Sequence, residues 1–295
     1  AACLVNFGVL FLLKYWSGVA GLLGRFLTLP AWDLVMPLGL SFFIFQAVGY
    51  VIDVYRGKYA PQKNLAQYAL IVSFFPQLDW EDLRSGIRLA LWGYMKKLLI
   101  AERIGVVAEA VFARQAEYPG SILAFGTLAY CLQLYCDFSG GIDITRAAGR
   151  LLGIRIAENF RRPLFAQSLA EFWRRWHITL GAWMRDYLFY PLSLSKPFGR
   201  LGRWARRHLP GKAGKIFATS LATFVVYLVI GVWHGSSLKY IAYGLYNGGI
   251  ITASLLLEGA FVPLRRKLRM EGQGWTLFRV LRTNAIVFAG RYLTR

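Results

Sequence analysis

The sequence predicts an all-α integral membrane protein, a polytopic helical bundle in which some helices are broken, re-entrant or laid in the interface. Three observations carry this expectation. Hydrophobic residues make up 56% of the 295 and mean hydropathy is +0.42, with less charge than a soluble domain of this size carries. Apolar runs at 4–13, 34–50, 89–100, 122–135, 216–233 and 241–257 approach or reach the ~20 residues that span a bilayer. The 35 Lys and Arg residues, against 15 acids, fall between these runs and not along one solvated face, which points to a membrane surface and away from nucleic acid.

Taken in order, residues 1–26 read as a first span. Pro30 and Pro37 punctuate the start of a second, which closes at Asp53-Val54-Tyr55-Arg56-Gly57, a polar exit with a glycine stop. A shorter apolar piece runs from Leu65 to Phe75 and stops at Pro76. Asp79 to Arg84 reads as the acidic first turn of a helix that continues to about Ile100. After Tyr118-Pro119-Gly120 comes a span whose paired Gly140 and Gly141 are expected to break the helix at membrane depth, where irregular backbone needs protein or a cavity around it.

Residues 153–200, dense in Arg, Trp and Tyr, read as helices in the interface or lining a cavity. Two long spans follow, 216–233 and 237–257, joined at His234-Gly235-Ser236. Roughly eight membrane helices result. Basic clusters at Arg56/Lys58/Lys63, at Arg200/Arg203/Arg206/Arg207/Lys212/Lys215 and at Arg265/Arg266/Lys267/Arg269 are candidates for cytoplasmic loops touching anionic headgroups. No repeat or low-complexity linker divides the chain, so residues 1–295 are expected to form a single domain. The start at Ala1-Ala2-Cys3 and the end at Arg295, just after an apolar stretch, suggest a domain cut from a longer protein. Cys3 behind two alanines, without a basic and apolar leader before it here, is not expected to be a lipoprotein site.

His234 closes an apolar helix, and an ionisable group so placed is either a functional residue, suited by its near-neutral titration to act as a base, or a structural one at a helix end. His177 lies in Glu171-Phe172-Trp173-Arg174-Arg175-Trp176-His177-Ile178-Thr179-Leu180. Helical spacing would put Trp173, His177 and Leu180 on one face with Arg174 beside them, as a substrate-orienting group or as an amphipathic interfacial helix. His208 reads as part of a solvated basic loop. Asp137 and Asp143 can hold a histidine, pair with Arg146, Arg150, Arg161 or Arg162, or stay as solvated turn residues. Neither a His-x-x-x-His nor a Cys-x-x-Cys pair is present, so no metal is expected, and Cys3, Cys131 and Cys136 read as core residues. Ser139 lacks the Gly-x-Ser-x-Gly setting of a nucleophile.

Several ordered blocks resemble the membrane-bound O-acyltransferase family, and among its members the bacterial alginate O-acetylases most. They are Pro37-Leu38-Gly39-Leu40-Ser41-Phe42 with Phe45-Gln46, Tyr50 to Gly57, Ser73-Phe74-Phe75-Pro76-Gln77-Leu78, Asp137-Phe138-Ser139-Gly140, Glu158-Asn159-Phe160-Arg161-Arg162-Pro163, Glu171 to His177, Arg185-Asp186-Tyr187-Leu188 and Gly231-Val232-Trp233-His234-Gly235. Each is weak alone; their joint order is specific.

The resemblance implies a bundle around a transmembrane tunnel, through which an acyl group, most simply acetyl, passes from a cytoplasmic thioester to a hydroxyl of an extracytoplasmic polysaccharide or cell-wall glycan. It assigns catalysis to His234 as general base and a site role to His177, with Asp137, Ser139, Asn159, Trp173, Arg174, Trp176, Arg185, Asp186 and Trp233 in support. No bound cofactor is implied. The donor, acetyl-CoA or an acyl carrier protein, is a co-substrate, and the partners are the lipid bilayer, the glycan acceptor and, where the system has one, an extracytoplasmic acyltransferase. The expected location is the bacterial cytoplasmic membrane.

Two features depart from the family pattern. Leu78 runs straight into Asp79-Trp80-Glu81 where a Gly-Pro segment is usual, and Gly141-Ile142 stands where an aromatic and a small polar residue are common. D-alanyl transfer to teichoic acid, acylation of a protein, and a carrier or channel with no enzymatic activity are the competing readings.

Overall fold

The computed structural model describes residues 7–13, 40–58, 80–267 and 270–294, with a few isolated positions besides. The expected first span in part, the piece from Leu65 to Phe75 and the departure after Leu78 lie outside the described residues. So do the blocks beginning at Pro37 and Ser73, in whole or in part. The helices are α1 (Leu40–Tyr55), α2 (Trp80–Tyr94), α3 (Glu102–Ala113), α4 (Gly120–Leu151), α5 (Leu169–Arg175), α6 (Ile178–Met184), α7 (Tyr190–Ser193), α8 (Lys196–His208), α9 (Gly211–His234), α10 (Leu238–Lys267) and α11 (Gly272–Tyr292). Two π-helical stretches, Met95–Ala101 and Arg185–Phe189, join α2 to α3 and α6 to α7. No strand occurs among the described residues.

Three helices are long and apolar enough to cross a membrane: Gly120–Leu151, Gly211–His234 and Leu238–Gly259. The α2–α4 region also turns large apolar side chains outward, with Leu99 65%, Val106 69% and Phe125 58% exposed, a pattern that lipid satisfies and water does not. This is a membrane protein.

The chain divides into two compact units. One holds residues 1–73 with 228–244, the other 74–227 with 245–295. In the first, α1 ends as its sequence predicts. Gly57 takes φ +74, Lys58 N–H donates to Asp53 O and Gly57 N–H to Val54 O, which satisfies the last carbonyls in a left-handed cap. The Lys58 ammonium then pairs with the Asp53 carboxylate at 3.0 Å.

In the second unit, the acids Glu81 and Asp82 sit in the first turn of α2 as expected, but the helical course does not stop near Ile100. It passes through the π stretch into α3, because Met95 to Ala101 offers neither Gly nor Pro to stop it. The break expected at Gly140-Gly141 is likewise absent: α4 runs unbroken for 32 residues. Gly140 serves packing instead. A Cβ there would lie 2.8 Å from Gly93 O, and one on Gly93 would lie 2.8 Å from Gly140 O, so each glycine lets α2 and α4 approach backbone to backbone. Cys131 and Cys136 are buried free thiols in α4, as expected of core residues.

The core of this unit gathers Ala166, Leu169, Phe172, Trp176, Ile251 and Val287, with Tyr135, Phe138, Phe160 and Tyr227 packed around them. His208 is a correction: it ends helix α8 and does not lie in a loop. Its Nδ1–H donates to Trp204 O at 2.9 Å while its ring stacks on Trp204 at 5.0 Å, holding the helix's last turn together.

Candidate functional site

His177 sits where a helix fails. Ser168 caps α5 by accepting from Glu171 N–H at 3.2 Å, and the Glu171 carboxylate accepts from the N–H of Gln167, one residue before the cap, at 2.8 Å, a variant of the capping box that Ser-x-x-Glu signals in sequence. Seven residues later the helix ends. Trp176 is extended, at φ −110 and ψ 126, and His177 is left-handed, at φ 50 and ψ 54, before α6 begins at Ile178. Residues 171–180 are therefore not one helix, and the helical face expected to join Trp173, His177 and Leu180 does not form.

A non-glycine residue in this conformation costs roughly 1–2 kcal/mol, so neighbours must hold it. Segment 159–162 does so by running antiparallel to 175–178. Arg161 N–H donates to Arg175 O at 2.9 Å, Ile178 N–H donates to Asn159 O at 3.1 Å, and Phe160 bridges to Trp176.

Asn159 is the centre of this clamp. Its side-chain oxygen accepts from Thr179 N–H at 3.1 Å and from Thr179 Oγ1–H at 2.7 Å, and it lies 3.2 Å from His177 Nδ1. A backbone N–H can only donate, which fixes the Asn159 atom as Oδ1, so Nδ1 must carry the imidazole proton and Nε2 the lone pair. His177 is 8% exposed, and burial pushes its imidazole down to about 4, so it is neutral near pH 7.

Aromatic rings wall the clamp. Phe138 meets His177 edge-on at 4.8 Å, and Trp176 stacks on Phe172 at 5.5 Å while meeting Phe160 at right angles. Two polar groups that the sequence reading passed over complete the surroundings. Asn247 accepts from Trp173 Nε1–H at 3.2 Å. Arg291, 7% exposed, holds its guanidinium 5.2 Å from the Trp176 ring and 5.9 Å from that of Trp173. The available signal was an Asn and an Arg each interrupting an apolar run, 241–257 and 285–292.

A cavity of about 310 Å³ adjoins the clamp, lined among others by Lys96, Tyr135, Ser139, Asp143, Asn159 and Arg162. Lys96 donates to Ser139 Oγ at 3.0 Å and pairs with Asp143 at 2.6 Å, and Lys97 pairs with Asp137. The acids of α4 thus find their main partners in the two lysines of the π stretch, and only Asp143 also reaches Arg146, at 3.4 Å. Ser139 and Asn159 line one cavity, and Trp173, Trp176 and His177 stand together around Asn159 and Arg291. Arg174 is exposed on α5, and Arg185, also exposed, pairs with the half-buried Asp186 at 2.8 Å on the second π stretch, so these three are not gathered with them.

His234 and Trp233 belong to the other unit. There α9 ends at His234, and Gly235-Ser236-Ser237 turns the chain into α10. A Cβ on Gly231 would lie 2.5 Å from Tyr240 O and 2.9 Å from Gly244 Cα, so the absence of a side chain lets the two helix ends touch. Three rings surround the exposed imidazole. Trp233 lies 4.8 Å away, Tyr240 stacks at 6.1 Å and Tyr243 stands edge-on at 6.0 Å. His234 is thereby presented at a turn whose two arms are fixed by backbone contact.

The family model for the membrane-bound O-acyltransferases matches residues 89–290, which takes in His177, His234 and most of the described helices. The chain belongs to the membrane-bound O-acyltransferase family. Among its O-acyltransferase relatives, a probable alginate O-acetylase of Pseudomonas syringae pv. tomato is 35% identical over 73% of this chain and 42% of its own length. A peptidoglycan O-acetyltransferase of Helicobacter pylori is 27% identical over 73% and 46%. A teichoic acid D-alanyltransferase of Bacillus subtilis is 24% identical over 78% and 61%. The chain spans about half the length of the curated relatives it matches.

Proposed function

We propose that this chain carries the transfer centre of a bacterial membrane O-acetyltransferase, which moves acetyl from a cytoplasmic thioester to a hydroxyl of a polysaccharide outside the cell. The observation that carries the reading is the gap in identity: 35% to an alginate O-acetylase against 24% to a D-alanyltransferase, over similar shares of this chain.

In this reading residues 1–295 act as one acyltransferase domain in the cytoplasmic membrane. His234 takes the proton of the acceptor hydroxyl as its oxygen attacks the thioester carbonyl; the C–S bond breaks and the thiolate leaves with its electron pair, to be protonated in turn. General-base catalysis supplies ~10²–10⁴-fold, and orientation and stabilisation of the oxyanion supply the rest. His177 is neutral, with its proton fixed on Nδ1, which suits it to orient a reactant by hydrogen bonding rather than to take up a proton. Asn159 positions His177. Ser139, Asp137, Trp173 and Trp176 shape the surroundings of His177 and Trp233 those of His234, whereas Arg174, Arg185 and Asp186 are proposed to meet the aqueous or headgroup phase.

The test is NMR of the host's surface polysaccharide and teichoic acid in a deletion strain with and without the wild-type gene. Loss and restoration of O-acetyl ester supports the reading. A change confined to D-alanyl ester transfers the chain to the other branch, and no change in any ester contradicts acyl transfer altogether.

A further inference from the structure

We infer that the C-terminal end of α4 and the loop after it form a binding site for a phosphate group, built from Arg146, Arg150 and Arg155. Local sequence dictates its shape. Helix α4 ends in a cap in which Gly153 takes φ +66, Gly153 N–H donates to Arg150 O at 3.0 Å and Ile154 N–H donates to Gly149 O at 2.7 Å. That cap folds the chain back over the last turn. Gly149 admits the return, since a Cβ there would lie 2.8 Å from the Ile156 side chain and 2.9 Å from Ile154 O. Arg155 is carried back beside Arg146 and Arg150, which share a face at i and i+4. The three line a pocket of about 360 Å³ together with Asp82 and Ile156, near the lower end of the roughly 300–1,000 Å³ typical of ligand sites.

The charge of the pocket is not balanced by the protein. Asp143 is shared, its Oδ2 taken by Lys96 at 2.6 Å and its Oδ1 3.4 Å from Arg146. The Arg146 Nε is buried with no hydrogen-bond partner among the described residues. Neither Arg150 nor Arg155 has an ion pair there, and Asp82 is the one carboxylate lining the pocket. Guanidinium groups donate in a planar fork that matches two phosphate oxygens, and Arg150 and Arg155 bring two such forks, free of ion pairs among the described residues, to one pocket. The ligand class is a phosphate mono- or diester, from either a soluble phosphate ester or an anionic lipid headgroup. The site is independent of the acyl-transfer reading.

The test uses the purified chain in nanodiscs. Inorganic pyrophosphate is titrated by calorimetry in phosphatidylcholine discs, and retained phosphatidylglycerol is measured by native mass spectrometry from equimolar phosphatidylglycerol and phosphatidylcholine discs. Arg150→Gln/Arg155→Gln is expected to weaken one of the two by about tenfold or more, and Arg203→Gln/Arg207→Gln, an equal charge loss on α8, to change it less than about twofold. Arg155→Gln alone, in an exposed loop, is expected to act in the same direction without disturbing folding. Loss of pyrophosphate binding assigns a soluble ester, and loss of phosphatidylglycerol assigns a headgroup. Equal weakening by both double variants, or no binding of either probe by the wild type, overturns the site.

Discussion

The His177 Nδ1 and the Asn159 Oδ1 lie 3.2 Å apart, and because Thr179 N–H donates to that same oxygen the imidazole must donate through Nδ1. One asparagine thereby sets the tautomer, ring direction and backbone conformation of a buried histidine. Asn159→Ala is expected to lower acyl transfer by on the order of 10²-fold, the scale on which a displaced positioning group acts. Asn159→Asp keeps an acceptor at Nδ1 and is expected to retain more activity. Ester content of the surface polymer, at matched protein level, checks both; equal loss in the two variants would count against an orienting hydrogen bond.

The same burial makes folding sensitive to acid. The folded imidazole titrates near 4, below its ordinary 6.5, so the unfolded chain binds a proton that the folded one refuses. The native state keeps its full stability from this group above the unfolded value. It loses stability as pH falls from about 6.5 to about 4, by on the order of 3 kcal/mol. Thermal unfolding in detergent at pH ~7 and ~4.5 checks the sign, and His177→Gln should shrink the difference between the two.

Adjacent glycines in α4 are expected to behave oppositely. Gly140→Ala drives a methyl into Gly93 O and should destabilise by roughly 1–3 kcal/mol, whereas nothing lies within 4 Å of a Cβ at Gly141. Gly141→Ala should be neutral or stabilise by roughly 0.5–1 kcal/mol, since alanine is the better helix former. Unfolding midpoints of the two variants decide the matter.

Those glycines also mark where the sequence was legible and where it was not. Composition and apolar runs predicted a helical membrane protein, the Gly57 stop and the turn after His234 were visible, and the ordered blocks identified the family. A Gly-Gly pair reads equally as a break or as a close helix crossing, because only the partner helix, here Gly93 on α2, decides between them. The periodicity of residues 171–180 failed for a related reason. The spacing of apolar residues suits a helix there, but Asn159 and the 159–162 segment, distant in sequence, hold His177 left-handed. Lys96 and Lys97 as partners of Asp143 and Asp137, and Arg291 over Trp176, are long-range contacts of the same kind.

In the unit that holds His234, Gly231→Ala places a methyl against Tyr240 O and Gly244 Cα. It is expected to spread the two helix ends and reduce activity by about tenfold or more although it touches no reactant. Retained ester content in this variant, at wild-type protein level, would show that the turn tolerates displacement.

The most direct test is ester content of the surface polysaccharide, by NMR, in a deletion strain complemented with the wild-type gene or with His234→Ala at equal protein level. The wild type is expected to restore O-acetyl ester, and His234→Ala to leave it at the level of the deletion strain. Equal restoration by both would mean that His234 is a structural residue at a helix end and that the base lies elsewhere.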